Sequence, residues 1–211
     1  PLTPELAIMA EKLIRSENLT VDDTTLLGRL NSAAGGFISN KFGFRGPCYS
    51  VTAACATSLV AIHTAIQMIY NGTIDAAIVG GVDSLCHTTL HGFSSLQLLS
   101  TSPCRPCDED RDGLSLGEAA GYALLESSER VGRKGAVALL GYGESTDGYH
   151  MSHPHPEGAG AIRAIRQSLD RAGLQPSDIE YINLHGTATR ANDSVEDKAV
   201  VGYASKTLPV T

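Results

Sequence analysis

The hydrophobic positions of this chain follow two spacing patterns along its length. Apolar residues three and four positions apart predict helices, whereas short and nearly continuous apolar runs predict buried strands. The helical pattern covers residues 5–17, 24–42, 56–70 and 158–172. The strand pattern covers residues 46–54 (after an opening turn), 75–84, 121–127, 136–145 and 181–187. Because strands and helices alternate, we expect an α/β protein with a mostly parallel sheet covered by helices.

Two of the predicted helices have a distinct apolar face. One face of the helix over 56–70 carries Leu59, Ile62, Ile66 and Ile69, and Asn71 and Gly72 follow as a stop signal. In the helix over 158–172, Ile162, Ile165 and Leu169 are expected to point inward, and Arg163, Arg166 and Arg171 outward.

Composition and charge narrow the class of protein. The 211 residues are enough for a sizeable core, and 22 glycines with 5% aromatic residues fit an α/β protein with many tight turns. A net charge of -7 and a pI near 5.4 argue against nucleic acid or an anionic membrane as a partner. No apolar run approaches the roughly 20 residues of a membrane span, and no signal-peptide pattern opens the chain.

The five cysteines are odd in number and irregularly spaced, so they do not form a disulfide framework. A reducing cytoplasm is therefore the expected setting. The pair Cys104 and Cys107 has CxxC spacing, but it lies among turn-forming residues and no second pair exists. We interpret it as part of a surface loop, with redox or zinc chemistry as the less favoured alternative.

The histidines do not supply an evident metal site. His87 and His91 are four positions apart but lack a third ligand, and prolines interrupt the loop that holds His150, His153 and His155. No metal ligand is therefore predicted.

Cys55 stands between the predicted strand of residues 46–54 and the helix over 56–70. The start of a helix presents unpaired N–H groups and a partial positive charge, which favour a thiolate, the nucleophilic form. The flanking residues Ala53, Ala54 and Ala56 would leave room for an acyl group on the sulfur. From its position alone, an ordinary buried cysteine remains the alternative.

His185 closes the predicted strand of residues 181–187 and is followed by a polar loop. Active residues of parallel α/β sheets lie at the carboxyl ends of strands, so this histidine is a candidate partner for a cysteine nucleophile. A structural histidine at the end of a strand is the alternative.

Five segments carry a combined signal that no single motif provides. They are NKFGFRGPCYSVTAACATS, AIVGGVDS, RPCDEDRDGLSLGEAAG, YHMSHPHPEG and YINLHGTATRANDSVE. Together, and in this order, they resemble the β-ketoacyl-[acyl carrier protein] synthase family of thiolase-like condensing enzymes. The resemblance runs from about residue 30 to residue 200 and implies a layered α/β/α/β/α fold.

The resemblance implies roles for particular residues. Cys55 would be the nucleophile that takes the acyl chain as a thioester, and His185 the first of two catalytic histidines. Thr187 and Thr189 would contact the phosphopantetheine arm. Glu118 would be a buried acidic residue near the site, paired with a lysine.

The reaction implied is the decarboxylative condensation of malonyl-[acyl carrier protein] with an acyl chain on Cys55, in fatty-acid or polyketide biosynthesis. No metal or redox cofactor is implied, since the substrates are carried on phosphopantetheine. The expected partners are acyl carrier protein and a second copy of the chain. The alternatives are a non-catalytic fragment or partner subunit and, less favoured because of HGTAT and GEAAG, a coenzyme A-dependent thiolase.

The resemblance also implies that residues 1–211 form the central portion of a synthase domain. The family's opening strand, its second catalytic histidine and its lysine have no counterpart in this sequence, nor does a glycine-rich loop that completes the oxyanion hole. We therefore expect an incomplete portion of the fold.

Overall fold

The computed structural model describes residues 32–131, 135–150 and 153–203. The chain divides into two compact units. Unit 1 comprises Pro1–Val82 and Ala120–Arg130, and unit 2 comprises Asp83–Ala119 and Val131–Thr211. The helix predicted over residues 5–17 lies outside the described residues. Residues 24–31 of the helix predicted over 24–42 also lie outside them.

The described elements are six helices, two strands and two 3-10 turns. In chain order they are α1 (Ala33–Phe42), a 3-10 turn (Ala54–Ala56), α2 (Thr57–Tyr70), β1 (Ala76–Asp83), α3 (His87–Ser95), β2 (Ala119–Glu126), α4 (Ser128–Val131), α5 (Ala159–Ala172), a second 3-10 turn (Pro176–Asp178) and α6 (Arg190–Tyr203). The predicted helices over 56–70 and 158–172 are confirmed, as are the strands over 75–84 and 121–127. None of the helices in the described ranges has the length and apolar character needed to cross a lipid bilayer.

In unit 1, β1 pairs with β2, and the first turn of α2 approaches β1 at Gly81. The two glycines of the sequence IVGGV allow this approach. A Cβ atom at Gly80 would collide with the backbone of Gly121 and the ring of Tyr122, and one at Gly81 would come within 2.8 Å of the Ser58 hydroxyl. Larger residues at these positions would separate the strands from each other and the helix from the sheet.

The apolar face predicted for α2 is only partly buried. Ile62, Ile66 and Ile69 are half-buried, but Leu59 is 71% exposed, so its predicted place on the packed face is wrong. The fully buried position of α2 is Ala65. Leu59 lies in the first turn of the helix, where the described residues of unit 1 leave it open to solvent.

In unit 2, α5 packs against α6. Glycines in the left-handed conformation bound α5 at both ends, with φ 64° at Gly158 and 67° at Gly173. Leu169 is buried, and the other two positions predicted to point inward, Ile162 and Ile165, are half-buried. The three arginines predicted to point outward are exposed. The amphipathic pattern of this helix is therefore confirmed.

Three predicted strands are wrong, because residues 46–54, 136–145 and 181–187 form no ladder in the described structure. Residues 136–145 instead run along α5, where a Cβ at Gly141 would collide with the carbonyl of Ser168 and one at Gly143 with that of Ala164. Ile182 forms a single isolated bridge. An apolar run predicts an extended backbone, but a strand also requires a neighbour to pair with.

The predicted mostly parallel sheet is correspondingly small within the described residues, where a single two-stranded sheet joins β1 and β2. Separate from this sheet, Leu99 and Leu114 form an isolated parallel bridge in unit 2.

Candidate active site

Cys55 occupies the middle of the 3-10 turn that leads directly into α2. The Thr57 hydroxyl fixes this turn, because it accepts the N–H of Ala53 at 2.8 Å and donates to the carbonyl of Ala54 at 2.7 Å. Ala54 has a positive φ of 48°, which is unusual for a residue other than glycine. The tight turn places Cys55 at the amino-terminal end of a 14-residue helix.

The side chain of Cys55 is exposed in the described structure. The alternative of an ordinary buried cysteine is therefore wrong for this chain. An exposed sulfur at the amino-terminal end of a helix, where the helix dipole is positive, is suited to nucleophilic attack on a thioester. The small side chains of Ala54 and Ala56 leave this approach open.

His185 lies in the loop before α6, and the carboxylate of Glu196 fixes the backbone of this loop. Glu196 accepts the N–H of His185 at 2.6 Å and that of Gly186 at 3.0 Å, with one carboxylate oxygen each. The side-chain amide of Asn192 donates to the same carboxylate at 3.3 Å. His185 itself is exposed, so its backbone is held while its imidazole faces solvent.

Glu196 fixes the His185 loop but is not among the site residues that the sequence predicts. It is the last residue of the segment YINLHGTATRANDSVE. His185 lies in a loop and Glu196 in α6, so the period of a single element does not relate the two residues. The available signal is an acidic residue in the second turn of a helix that directly follows a tight loop, where its carboxylate can accept N–H groups of that loop.

Thr187 and Thr189 are brought together on this loop. Their hydroxyl oxygens lie 2.9 Å apart, and the N–H of Thr189 points to the Thr187 hydroxyl at 3.4 Å. Ala188 between them is fully buried and has a positive φ of 56°, which turns both hydroxyls to the same side. The pair offers two adjacent groups that can each donate and accept a hydrogen bond.

A second loop, Cys104–Asp112, packs against the backbone of the His185 loop. The thiol of Cys104 is 3.8 Å from the carbonyl oxygen of Thr187, the distance of a weak S–H hydrogen bond. A Cβ atom at Gly186 would lie 3.3 Å from Pro106, and Gly186 has a φ of 54°. Both cysteines of this loop are free, and the prediction of a loop is confirmed.

Glu118 differs from its prediction. It is exposed rather than buried, and its carboxylate accepts the N–H of Leu85 at 2.9 Å. Within the described ranges no lysine pairs with it. Burial fails because Glu118 lies just before β2, beside the turn at Leu85, and the described part of unit 2 does not cover it.

The predicted residues are thus distributed over both units. Cys55 lies in unit 1, whereas His185, Thr187, Thr189 and Glu118 lie in unit 2. The structure joins the histidine and the two threonines on one loop.

Outside this loop, the histidine pairs form ring contacts. The rings of His87 and His91 stack at 5.9 Å, and the Nδ1 atoms of His150 and His153 lie 3.0 Å apart. In the part of the chain that the structure describes, no three histidine, cysteine or acidic side chains converge as metal ligands do.

One further thiol has distinct chemistry. Cys86 is exposed at the cap position of α3, and its sulfur lies 3.1 Å from the Thr89 hydroxyl. This hydrogen bond, together with the Thr89 N–H, lowers the pKa of Cys86 below the ordinary value of a thiol. Cys86 will therefore compete with Cys55 for alkylating reagents.

Comparison with known families gives matches over almost the whole chain. Residues 8–130 match the model for the N-terminal domain of β-ketoacyl synthases, and residues 136–209 match that for the C-terminal domain. The chain is 39% identical over 190 residues to a 3-oxoacyl-[acyl-carrier-protein] synthase 2 of Staphylococcus aureus, covering 84% of the chain and 47% of that protein. It is 41% identical over 184 residues to the Rhizobium meliloti protein of the same name, covering 82% and 44% respectively.

Solved structures give the same picture. The Xenorhabdus doucetiae ketosynthase ApeO, in complex with its chain length factor ApeC, aligns with a TM-score of 0.82 at 35% identity, covering 98% of this chain and 51% of that chain. A β-ketoacyl synthase from Burkholderia phymatum aligns with a TM-score of 0.82 at 26% identity, covering 99% and 53%. The chain spans about half the length of the curated relatives that it matches.

Proposed function

Because the chain belongs to the β-ketoacyl synthase family and has its thiolase-like α/β fold, we propose that it acts as an acyltransferase that forms carbon–carbon bonds. The reaction is the decarboxylative Claisen condensation of malonyl-[acyl carrier protein] with a Cys55-bound acyl chain, in fatty-acid or polyketide biosynthesis. The single observation that carries this proposal is the exposed sulfur of Cys55 at the start of α2.

In the first half-reaction, the thiolate of Cys55 attacks the carbonyl carbon of an acyl thioester. The tetrahedral intermediate collapses with loss of the phosphopantetheine thiolate, which takes up a proton, and the acyl chain remains on Cys55. The exposure of the sulfur and the small alanines beside it support this role. The backbone N–H of Cys55 can donate to the oxyanion of the intermediate.

In the second half-reaction, the malonyl thioester loses carbon dioxide. The electron pair of the broken carbon–carbon bond remains on the thioester and forms an enolate. The imidazole N–H of His185 stabilises the negative charge on the thioester oxygen. The enolate carbon then attacks the acyl thioester on Cys55, the Cys55 thiolate leaves, and a β-ketoacyl thioester two carbons longer is formed. The backbone clamp of Glu196 supports this role, since it fixes the His185 loop without using the imidazole.

Thr187 and Thr189 bind the amide groups of the phosphopantetheine arm in this proposal. Their hydroxyls lie side by side, and each can donate or accept a hydrogen bond, as an amide chain requires. Glu118 is kept in this proposal as a site-supporting residue, and its carboxylate accepts the N–H of Leu85. The proposed chemistry uses no metal or redox cofactor, since the carbon–carbon bond that breaks when carbon dioxide leaves supplies the electron pair of the nucleophile.

Acyl carrier protein is the proposed partner. Among the solved relatives, one complex is described as a type II polyketide synthase acyl carrier protein bound to its ketosynthase; that structure aligns at 27% identity with a TM-score of 0.82. We further propose a homodimer and a cytoplasmic location, and that residues 1–211 form the central portion of a synthase domain. The free cysteines are compatible with a reducing compartment.

A non-catalytic fragment or partner subunit is the competing function. The complexes of ketosynthases with chain length factors show that this family includes paired subunits. The retained and exposed Cys55 favours the catalytic alternative, because a non-catalytic subunit of this family would often have lost the nucleophile of the ACATS segment.

The decisive experiment incubates the full chain with acyl-[acyl carrier protein] and locates the acyl adduct by peptide mass spectrometry. We expect one thioester on Cys55, abolished in Cys55→Ser and retained in Cys48→Ser, whose cysteine is also exposed. Addition of malonyl-[acyl carrier protein] should then release a β-ketoacyl product. An adduct spread over several cysteines, or none on Cys55, would overturn the proposal.

A further inference from the structure

Arg111 and Asp193 form a buried ion pair outside the residues assigned to the reaction. The Nε atom of Arg111 lies 3.6 Å from Oδ2 of Asp193, and the two side chains are only 17% and 2% exposed. Removing two charges from water is costly, so a buried pair requires compensating contacts. Its partners show what the pair connects.

The guanidinium group of Arg111 joins the Cys104–Asp112 loop to the first turn of α6. It donates to the carbonyl of Asp108 at 2.8 Å, on its own loop. It also donates to the hydroxyl of Ser194 at 2.9 Å and to the carbonyl of Arg190 at 3.3 Å, both on α6.

Asp193 completes the connection from the side of the helix. The same Oδ2 atom accepts the N–H of Cys107 at 2.9 Å. Cys107 has a positive φ of 61°, a backbone conformation that is strained for a residue other than glycine. In this conformation its N–H points to Asp193 of α6. The loop is therefore held at Cys107 and at Asp108 by one buried pair of charges.

The loop held in this way is the one that packs against the His185 loop. Cys104 contacts the carbonyl of Thr187, and Pro106 packs against Gly186. On the opposite side, Glu196 of α6 binds the N–H groups of His185 and Gly186. The His185 loop is thus enclosed between α6 and the Cys104–Asp112 loop, and Arg111 joins these two supports.

We propose that Arg111 is a positioning residue that fixes the His185 loop through the Cys104–Asp112 loop. This role deepens the proposed function and rests on it, because His185 is the group that is positioned. Arginine suits the task since its planar fork reaches three acceptors at once, whereas lysine presents a single ammonium group.

The first test does not depend on activity. Hydrogen–deuterium exchange of the peptide over residues 181–189 is measured in the full chain, its Arg111→Ala and Arg111→Lys variants and a Lys198→Ala control. Lys198 also lies on α6, but it forms an exposed pair with Glu157. We expect faster exchange in Arg111→Ala, an intermediate rate in Arg111→Lys and no change in Lys198→Ala.

Unchanged exchange in a folded Arg111→Ala variant would overturn the proposal. Should Arg111→Ala not fold, Arg111→Lys decides the question, because it keeps the positive charge and loses the fork. Exchange in Arg111→Lys equal to that of the unmodified chain would then overturn it.

The second test separates positioning from general destabilisation by measuring the two half-reactions. Decarboxylation of the malonyl thioester should fall roughly 30- to 100-fold in Arg111→Ala, as expected for a misplaced group, with partial rescue in Arg111→Lys. Acylation of Cys55, which lies in unit 1, should be retained. An equal loss of both half-reactions would show a merely structural role. If the unmodified chain shows neither half-reaction, the proposed function fails, while the exchange experiment still decides the role of Arg111.

Discussion

The carboxylate of Glu196 accepts the backbone N–H of His185 at 2.6 Å. The backbone of His185 therefore holds the loop in place through this hydrogen bond, while its imidazole is exposed and is not used for it. The contact also gives the loop a charged anchor, and hydrogen bonds to a charged group are stronger than those between neutral groups.

Replacement of Glu196 by glutamine should weaken this anchor. Glu196→Gln keeps one acceptor oxygen, so one of the two N–H groups of the loop loses its partner. We expect decarboxylation of a malonyl thioester to slow about tenfold, since loss of a hydrogen bond to a charged group costs about 1.5–3 kcal/mol before the loop relaxes. Release of carbon dioxide measures the rate.

The matched control is Glu157→Gln, which neutralises an exposed carboxylate whose partner is Lys198. Surface pairs of this kind contribute little, so the control should retain the rate. An equal rate in Glu196→Gln and the unmodified chain would contradict the role assigned to the anchor.

The hydrogen bond from Thr89 should set the reactivity of Cys86. Because this bond lowers the pKa of Cys86, the thiolate fraction below the ordinary pKa of a thiol is larger than for an unbonded cysteine. Thr89→Val removes the hydroxyl, so the pKa rises and alkylation by iodoacetamide at pH 7.5 should become slower. Mass spectrometry of the Cys86 peptide over time gives the rate.

Thr88→Val is the control, since Thr88 acts on Cys86 only through its backbone N–H, which valine keeps. The difference between the two variants should vanish at a pH well above the thiol pKa, where every thiol is ionised. A difference that persists there would point to altered access and not to ionisation.

A methyl group at Gly143 should destabilise unit 2. A Cβ atom there would collide with the carbonyl of Ala164 in α5, and both groups belong to the backbone, so neither can move freely. We expect Gly143→Ala to lower the free energy of unfolding by about 1–3 kcal/mol, the usual cost of overpacking. Denaturant titration of the full chain measures this change.

Gly92→Ala provides the comparison, because Gly92 lies within α3 and a Cβ atom there meets nothing within 4 Å. This substitution should leave stability unchanged or raise it by about 0.5–1 kcal/mol, since alanine is the better helix former. A Gly143→Ala variant as stable as Gly92→Ala would show that residues 136–145 do not run against α5.

Local signals in the sequence predicted α2 and α5 well, whereas α3, α4 and α6 were not predicted as helices. Periodicity predicts the extent of both helices, and the stop signal at Asn71 marks the end of α2. The place of Cys55 followed from the same signals, because it depends on where α2 begins. Its exposure did not, since burial depends on residues distant in sequence.

Pairing between distant segments explains most of the errors. Val137 is 99% exposed in a segment with the apolar content of a strand, and Tyr49 is 63% exposed in another. Nothing in either segment specifies a neighbour. The contact of Glu196 with His185 was missed for the same reason, since it joins a loop to a helix with no fixed period.

The fully buried methyl of Ala188, held on a left-handed backbone, limits how this protein could be redesigned. Glycine would relieve the backbone but lose the packed methyl, and any larger residue would clash and carry a strained backbone. Engineering of the His185 loop should therefore leave position 188 unchanged and vary residues whose side chains face solvent instead.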